Sequence, residues 1–461
     1  MIGYIVLGLA YAMLLFTLPL FSQNGLSEAE MVSAESSYYL TADAPMNGDL
    51  VDLPYRLLQK GSIKIFGLTP YAIKLPSVIV GLALGLLLIL LLNRWFKNNV
   101  SLLASCLIVL STPFLFLAGS GTPLIMLVFW PTLLLWLGSK IQGEKKTKPM
   151  YSFWFAIALL LAIFTPYMLY FAAFSVIFVL AQPHLRFVVK SLPKPMLVIV
   201  GVLILSGLVA LGMNIIHQPE TLKELLLARD FDGNFLGNLG SGLETAFLWR
   251  GVKVGTLLAP LISLPIFALA LTGLLSTTKG FFASRNSIAS VLIVFTLVIT
   301  GFNPDAAIFL ILPISILVAH GLKYILEKWY GLFPENPYAR ITAILPLSLL
   351  FGVIVIPGLL QYVYGYRYNP NVADEFSYDL EIIRDNLTQG TLVVPTDKLK
   401  FYQILGKSTE IKVVSEATGT EETLAYYRAK ATDSHYNLSR IITSPRKENS
   451  GIIYLYTKQG E

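Results

Sequence analysis

Stretches without a charged residue alternate with short polar segments along the first 366 residues. Nine such stretches cover residues 1–27, 75–93, 98–139, 149–185, 195–219, 254–278, 286–304, 306–322 and 341–366. Because a helix needs about 20 apolar residues to cross the hydrocarbon core of a bilayer, the two longest stretches each hold two crossings. Their turns are predicted at Gly119–Pro123 and Thr165–Tyr167, where glycine and proline can break a helix. The pattern therefore predicts eleven membrane spans.

Composition supports a membrane protein and argues against two other classes. Hydrophobic residues make up 55% of the 461-residue chain and charged residues only 13%, whereas soluble domains contain about 25% charged residues. The net charge of +6 comes from the loops between apolar stretches. These loops show no basic stripe interleaved with aromatic residues of the kind that binds nucleic acid. We therefore expect the lipid bilayer as a partner and no nucleic acid.

The loops between the predicted spans differ in charge from one side to the other. Alternate loops hold fourteen Lys and Arg against three acids, while the long loops 23–74 and 220–253 on the opposite side hold eight cations against eleven acids. Short cytoplasmic loops retain an excess of Lys and Arg, so the amino terminus is predicted in the cytoplasm and the carboxyl terminus outside. Residues 1–21 lack a basic start and a small-residue cleavage pattern, which predicts a retained span. The expected location is the plasma (cytoplasmic) membrane.

After residue 366 the composition changes to that of a soluble domain, with 12 cations and 13 acids in residues 367–461. Predicted helices at 374–386, 397–405 and 421–431 alternate with predicted strands at 391–395, 411–414 and 451–456. This alternation is typical of a small α/β unit with a largely parallel sheet. The chain is thus divided into a transmembrane α-helical domain, residues 1–366, and an extracytoplasmic α/β domain, residues 367–461.

The predicted spans contain no Asp, Glu, Lys or Arg. This disfavours an ion-coupled transporter, because such proteins place ionisable groups inside the membrane. Reactive groups are therefore expected in the external loops, the first of which opens with Ser27, Glu28 and Glu30. Ser27 and Glu30 have the spacing of a capping box that starts a helix. That interpretation occupies Glu30 and leaves Glu28 to project, so Glu28 is the better candidate for a general base.

The order of motifs in the first 95 residues resembles that of a known family. A first span is followed by the short acidic motif, by Pro54-Tyr55 at the start of a surface helix, by Phe66-Gly67-Leu68, and by Lys74-Leu-Pro-Ser77 entering the second span. Tyr167 after Thr165-Pro166 and the segment Asn303-Pro-Asp-Ala-Ala307 support the likeness. The order is similar to that of bacterial relatives of the protein O-mannosyltransferase and aminoarabinose transferase superfamily. The resemblance implies a polytopic membrane fold of the GT-C type, here with about eleven spans.

The resemblance also implies a reaction, the inverting transfer of a sugar from a polyprenyl phosphate to a hydroxyl or amine acceptor on the external face. In that family an acid of the first external loop acts as the base, usually within an Asp-Glu pair. Ser27-Glu28 occupies the matching position in this chain, so the catalytic base is either Glu28 or Glu30. Many relatives carry a second acid near the start of the fourth span, where this chain has Gly119 to Leu124.

A departing phosphate needs a cation, and arginine can bind two phosphate oxygens at once. Arg250 and Lys253, which enter the eighth predicted span, are the preferred phosphate-binding pair. The alternative is that they only anchor this helix by reaching to the membrane interface. Arg56 and Lys60 are weaker candidates for phosphate binding, since their i, i+4 spacing beside two leucines also fits an amphipathic helix on the membrane surface.

Asp230 and Asp232 have the two-acid spacing with which many sugar transferases hold a divalent metal ion. The alternative is a solvated turn at Asp232-Gly233, and the resembled family generally works without metal. The four histidines are scattered along the chain and make no ligand cluster. We therefore predict that the protein uses no cofactor.

The sequence thus predicts a membrane glycosyltransferase that moves a sugar from a polyprenyl-phosphate donor to an envelope glycan, lipid or protein. The alternative is a non-enzymatic membrane protein that binds lipids or takes part in envelope assembly. The two hypotheses differ in what the first external loop should contain. A transferase needs an acid that faces a cavity with a cation, whereas the alternative has both acids turned into helix caps.

Overall fold

The fold is that of a computed structural model. It describes residues 2–21, 25–40, 50–142, 147–226, 233–248, 257, 259–278, 284–333, 335, 338, 341–369, 375–387, 389–417, 423–427, 436–443 and 452–458. Helices and strands are numbered in chain order within these residues.

Helices are the main regular elements of the described chain before the carboxy-terminal domain. They are α1 (Ile2–Phe21), α2 (Glu28–Tyr38), α3 (Leu53–Phe66), α4 (Pro70–Leu92), α5 (Asn98–Val109), α6 (Thr112–Gly119), α7 (Met126–Ile141), α8 (Lys148–Ala162), α9 (Met168–Ala181), α10 (Pro183–Lys190), α11 (Lys194–His217), α12 (Glu220–Leu226), α13 (Phe235–Phe247), α14 (Leu264–Thr277), α15 (Ser284–Thr300), α16 (Ile311–Leu332) and α17 (Ile344–Leu360). Turns of 3₁₀ helix at Pro123–Ile125 and Pro304–Leu310 precede α7 and α16. A π-helical turn, Gln361–Gly365, and one further turn, Tyr366–Tyr368, extend α17.

Within the described residues, five helical segments are long and apolar enough to cross a membrane, namely Pro70–Leu92, Pro123–Ile141, Lys194–His217, Pro304–Leu332 and Leu345–Tyr368. Two bent pairs, α5 with α6 at 67° and α9 with α10 at 100°, raise the number to seven if each pair is one span. Shorter apolar helices occupy the other predicted spans, at Gly8–Thr17, Lys148–Ala162, Leu264–Thr277 and Asn286–Thr300. The helix breaks predicted at Gly119–Pro123 and Thr165–Tyr167 are confirmed. The number of eleven crossings stays a prediction.

Two glycines allow α14 and α16 to approach each other closely. A Cβ atom built on Gly273 would lie 1.9 Å from the carbonyl oxygen of Leu317, and one built on Gly321 would lie 2.1 Å from that of Leu269. Small residues at helix crossings let backbones pack tightly inside a bilayer, where burial of apolar surface drives little association. The segment Pro304–Leu332, whose most apolar part is 94% buried, accordingly lies at the centre of the helical bundle.

The carboxy-terminal domain contains a five-stranded mixed sheet. Its elements are α18 (Asp379–Asn386), β1 (Gln389–Val393), α19 (Thr396–Gly406), β2 (Glu410–Val414), β3 (Thr423–Tyr427), β4 (Tyr436–Thr443) and β5 (Ile452–Lys458). The strand order is β2-β1-β3-β5-β4, with β1 parallel to β2 and β3, and β5 antiparallel to β3 and β4. The predicted α/β unit is present. The prediction of a largely parallel sheet is wrong for its second half, where the unpredicted strand β4 pairs with β5.

The helix predicted at 421–431 is wrong, because Thr423–Tyr427 forms strand β3. The glutamate- and alanine-rich sequence favours a helix locally. In the fold, however, Leu424 and Ala425 are fully buried on opposite faces of a central strand, between β1 and β5. Packing on both faces of a sheet decides the structure of such a strand more strongly than local propensity does.

The sheet domain and the first loop share one apolar core. Leu26, Met31 and Ile73 pack in a cluster with Leu380 and other side chains of the sheet domain. An antiparallel bridge joins Leu26 to Ser377, with each amide donating to the other carbonyl at 2.8 Å. The start of the first loop is therefore attached to the carboxy-terminal domain.

Candidate active site

The start of α2 places the two candidate acids in different surroundings. The Ser27 amide donates to Glu30 Oε2 at 2.8 Å, and the Glu30 amide donates to Ser27 Oγ at 3.3 Å, which confirms the predicted capping box. The Glu30 side chain is only 1% exposed, whereas Glu28 is exposed to solvent. The first turn of α2 therefore buries Glu30 and leaves Glu28 exposed to solvent.

Glu28 lies on the wall of an open cavity with a volume of about 430 Å³. The charged groups of the lining are Glu28, Asp52 and Arg56, so two carboxylates share the space with one guanidinium. Hydroxyl and apolar groups complete the lining: Ala29, Val32, Ser33, Ser36, Val51 and Pro123. An exposed acid can accept a proton, and a guanidinium can bind phosphate oxygens. Among the candidates predicted from the sequence, the cavity brings together Glu28 and Arg56.

Arg56 reaches the cavity from the inner side of α3. Its guanidinium donates to the Ser36 carbonyl at 2.8 Å and to the Val51 carbonyl at 3.3 Å, and the residue is only 8% exposed. The outward side of α3 is largely apolar instead, with Leu57 55% and Ile65 75% exposed, although Lys64 is exposed as well. The helix is thus amphipathic, as predicted, and Arg56 lies on its buried side; phosphate binding by Arg56 stays a prediction. The helix turns its arginine toward the protein and its apolar side chains outward, as suits contact with lipid.

Lys60 lies one turn after Arg56 and does not line the cavity. Its Nζ donates to the carbonyl of Leu40. Burial lowers the pKa of the Lys60 ammonium, and the nearby Lys64 cation lowers it further. Lys60 therefore connects the end of α2 to α3, and its binding of phosphate stays a prediction.

One buried amide, Gln59, joins the segments that surround the cavity. Its Nε2 donates to the carbonyls of Ile73, at 3.0 Å, and Gly121, at 2.8 Å. Its Oε1 accepts from the hydroxyls of Ser33, at 2.9 Å, and Ser37, at 2.7 Å. These contacts use both donor hydrogens and both acceptor positions of the amide. A lone glutamine in an amphipathic helix carries no sequence signal, which is why this residue was not predicted.

Replacing Gln59 by leucine is expected to destabilise the protein strongly. The change removes the partner of two carbonyls and two hydroxyls in a fully buried place. Each unsatisfied buried group costs about 1–3 kcal/mol, so the free energy of unfolding should fall by about 3 kcal/mol or more. Thermal unfolding of the purified protein in detergent measures the loss. Gln142→Leu, at the exposed end of α7, is the control, and equal stability of the two variants would contradict the role of Gln59.

Glu30 also connects α2 with α4 and with the turn before α7. The Gly121 amide donates to Glu30 Oε1 at 2.6 Å, and Lys74 Nζ lies 3.9 Å from the same oxygen. Lys74 Nζ donates in addition to the Gly25 carbonyl at 2.7 Å. Both charged side chains are 1% exposed. A buried carboxylate thus faces a buried cation, which offsets the cost of removing each charge from water.

Asp52 lines the cavity from a left-handed backbone conformation, with φ 55°. Its amide donates to the Phe164 carbonyl at 2.7 Å, in the turn between α8 and α9. Tyr167 of the same turn also has a positive φ of 65°. Non-glycine residues adopt this conformation at an energetic cost, and only where surrounding contacts impose it. The sequence identifies Asp52 merely as one acid of the loop, because its conformation depends on a segment far along the chain.

Four other candidates lie outside the described residues: Arg250, Lys253, Asp230 and Asp232. Phosphate binding by the first two and metal binding by the last two stay predictions. Within the part of the chain that the structure describes, no group of three or more His, Cys, Asp and Glu side chains could hold a metal ion.

Comparison with known families matches a segment that includes two residues of the cavity lining, Arg56 and Pro123. The family described as dolichyl-phosphate-mannose-protein mannosyltransferase matches residues 54–210, which begin in α3 and include the Gly119–Pro123 and Thr165–Tyr167 breaks. No curated protein sequence matches the chain.

Solved structures share the fold over almost the whole chain. ArnT from Cupriavidus metallidurans, bound to undecaprenyl phosphate, superposes with a TM-score of 0.58 over 98% of this chain and 98% of its own, at 13% sequence identity. The archaeal oligosaccharyltransferase AglB from Archaeoglobus fulgidus, in complex with an inhibitory peptide and a dolichol-phosphate, superposes with a TM-score of 0.53. That match covers 89% of this chain and 64% of AglB, also at 13% identity. At such identities the likeness is one of fold.

The family match and the shared fold both support the resemblance predicted from the sequence. Residues 54–210 contain the Pro54-Tyr55, Phe66-Gly67-Leu68 and Lys74-Leu-Pro-Ser77 motifs that carry the resemblance. The architecture described above, mostly helical with several apolar helices and a small carboxy-terminal sheet, superposes on ArnT over 98% of this chain. Together these findings confirm the predicted resemblance to the protein O-mannosyltransferase and aminoarabinose transferase superfamily, and with it the prediction that the chain is a membrane glycosyltransferase.

Proposed function

We propose that the protein transfers a sugar from a polyprenyl-phosphate donor to a glycan, lipid or protein of the cell envelope, by an inverting displacement in the Glu28 cavity. The observation that carries this proposal is the presence of Glu28 and Arg56 on the wall of one open cavity, beside a helix with an apolar outward face. The structures of ArnT with undecaprenyl phosphate and of AglB with a dolichol-phosphate support a lipid-linked donor.

The proposed reaction is a single displacement at the anomeric carbon. The acceptor oxygen or nitrogen attacks this carbon while Glu28 takes the acceptor proton. The bond from the anomeric carbon to the phosphate oxygen breaks, and its electron pair stays on the phosphate. Arg56 stabilises the charge that develops there. Arg250 and Lys253 are predicted to face the same phosphate, and no cofactor takes part in this scheme.

The competing hypothesis is a membrane protein that binds lipids or assists envelope assembly without catalysis. It expects both acids of the first loop to be helix caps away from a basic cavity. Glu30 fits that description, since it caps α2. Glu28 does not, because it is exposed and shares a cavity with Arg56. This difference between the two acids favours the transferase.

Replacing Arg56 by glutamine is expected to weaken binding of undecaprenyl phosphate about 10- to 100-fold. Hydrogen bonds between charged groups contribute about 1.5–3 kcal/mol, and glutamine loses the charge. Arg56→Lys should retain part of the affinity, because lysine keeps the positive charge but cannot form bidentate hydrogen bonds to the phosphate. Titration of the purified protein with undecaprenyl phosphate measures the change, with Arg440→Gln on the exposed strand β4 as the control. Equal affinities of Arg56→Gln and this control would contradict the phosphate role.

The function itself is tested by transfer of radiolabelled sugars from a panel of polyprenyl phosphates. Membranes that contain the wild-type protein are compared with membranes that lack it, at the same total protein. We expect the protein to consume at least one donor, with release of polyprenyl phosphate and labelling of an envelope acceptor. Binding of donors without their consumption would support the non-enzymatic alternative.

We also propose the orientation predicted from the loop charges, with the amino terminus in the cytoplasm and the sheet domain outside. Single cysteines at Lys458 and Lys140, introduced together with Cys106→Ser, distinguish the two sides. A membrane-impermeant thiol reagent added to intact cells should label the first position and not the second. The reverse pattern would invert the topology and move the cavity to the cytoplasmic face.

A further inference from the structure

Resting on the proposed function, we propose that Glu30 and Lys74 act together as a positioning pair for the catalytic acid. In this assignment Glu30 does not take the acceptor proton. Its carboxylate, held by Lys74, fixes two segments of the cavity wall, the turn that carries Glu28 and the segment from Gly121 to Pro123.

The oxygens of Glu30 are already used in fixing these segments. Oε2 accepts from the Ser27 amide at 2.8 Å, and Oε1 accepts from the Gly121 amide at 2.6 Å. With 1% of the side chain exposed, an acceptor substrate has no access to this carboxylate. A general base must lie within hydrogen-bond reach of the proton that it removes. Glu28, exposed at the cavity wall, is open to an acceptor, and Glu30 is not.

Lys74 supplies the charge that makes a buried carboxylate tolerable at this position. Its Nζ lies 3.9 Å from Glu30 Oε1, donates to the Gly25 carbonyl at 2.7 Å, and lies 5.9 Å from the centre of the Phe376 ring. An ionised group that is removed from water without a partner is strongly destabilising. The loop from Gly25 to Glu30 is therefore held at both of its ends by one lysine.

Each of the two segments held by Glu30 contributes to the cavity lining. Glu28 lies between Ser27 and Glu30 on the first turn of α2, and Pro123 follows Gly121 by two residues. The approach is close, since a Cβ on Gly121 would lie 2.7 Å from Ile73 Cγ2 and 3.4 Å from Glu30 Cγ. A shift of the Glu30 carboxylate should therefore move Glu28 relative to Pro123 in the same lining.

A double-mutant cycle separates this positioning role from a catalytic one. The variants are Glu30→Gln, Lys74→Met and the two combined, with Glu35→Gln and Lys64→Met as matched controls elsewhere on α2 and α3. The polyprenyl-phosphate sugar that the wild type consumes is the substrate, and undecaprenyl phosphate is the probe of binding. We expect each single variant to lower kcat about tenfold or more, with undecaprenyl phosphate affinity changed less than about twofold.

The combined variant decides the question. Without either charge no unpaired ion is buried, so its kcat should recover about tenfold from that of the worse single variant. If Glu30 were the base, the combined variant would be as inactive as Glu30→Gln, and the proposal would be overturned. If the wild type is active and the combined variant is as inactive as Glu30→Gln, only the positioning pair is refuted. If the wild type consumes no donor, the proposed function is refuted.

Variants of a buried ion pair can fail to fold. Gly121→Ala is therefore a second test of the proposal. It leaves both charges in place, and the new Cβ atom would lie 2.7 Å from Ile73 Cγ2, which should shift the Gly121 amide that donates to Glu30. We expect kcat to fall about tenfold while undecaprenyl phosphate still binds. An unchanged kcat in Gly121→Ala would overturn the proposal independently of the charge variants.

Discussion

Replacing Glu28 by glutamine is expected to reduce sugar transfer about 10²- to 10⁴-fold, the usual contribution of a general base. Glutamine has nearly the same size and shape as glutamate, and it cannot accept the acceptor proton. Because Glu28 is exposed, the variant should fold as well as the wild type. Its affinity for undecaprenyl phosphate should also be kept, since Arg56 and not Glu28 is proposed to contact the phosphate. The rate is measured with the radiolabelled donor that the wild type consumes.

The control for this prediction is Glu35→Gln, on the same helix and outside the cavity lining. Equal amounts of the two variants in the membrane and equal thermal unfolding make the comparison of rates direct. Full activity of Glu28→Gln would place the base elsewhere, and Asp52, as the second carboxylate of the cavity, would become the next residue to test.

Replacing Gly273 by leucine is expected to prevent formation of the folded protein. The backbone of α16 lies so close that even a single Cβ atom on Gly273 would be 1.9 Å from the Leu317 oxygen and 2.9 Å from the Gly321 nitrogen. Because these atoms are backbone, no side-chain rotation can make room. The two helices must separate, at the centre of the bundle. Overpacking of a core costs about 1–3 kcal/mol for smaller insertions, and a whole leucine at a backbone contact should exceed this range.

Gly212→Leu is the matched control, because a Cβ on Gly212 of α11 has nothing within 4 Å. A leucine side chain at this position meets no steric conflict. Replacing a helical glycine even by alanine stabilises the helix by about 0.5–1 kcal/mol. The measurement is the monodisperse fraction of each variant in size-exclusion chromatography after solubilisation. Equal recovery of the two variants would show that the α14–α16 contact is looser than described.

The sequence predicted those features of the fold that depend on neighbouring residues. Charge-free stretches located the apolar helices, and glycine and proline located the breaks at Gly119–Pro123 and Thr165–Tyr167. The spacing of Ser27 and Glu30 located the start of α2 and indicated which acid would be occupied by the cap. In each case the physical cause lies within a few residues of the chain, where a pattern can show it.

The remaining features of the site depend on contacts between distant segments. Gln59 hydrogen-bonds to Ser33, Ile73 and Gly121, which lie far apart in the sequence. Lys74 can be proposed as a positioning residue only because Glu30 and Gly25 lie beside it in the fold. The spacing of Arg56 fits an amphipathic surface helix or a phosphate ligand, and only the fold shows that the residue is buried and lines the cavity. Strand β3 has a helical composition and became a strand through its neighbours in the sheet.

The central claim, that the sugar phosphate reacts in the cavity beside Glu28, is tested most directly by photolabelling. A polyprenyl-phosphate sugar with a diazirine next to the phosphate is bound to the wild-type protein in proteoliposomes, irradiated, and the labelled peptides are identified by mass spectrometry. We predict labelling within residues 28–36 and 51–56, which is suppressed by an excess of undecaprenyl phosphate. Labelling confined to other segments, with these two peptides unmodified, would contradict the claim.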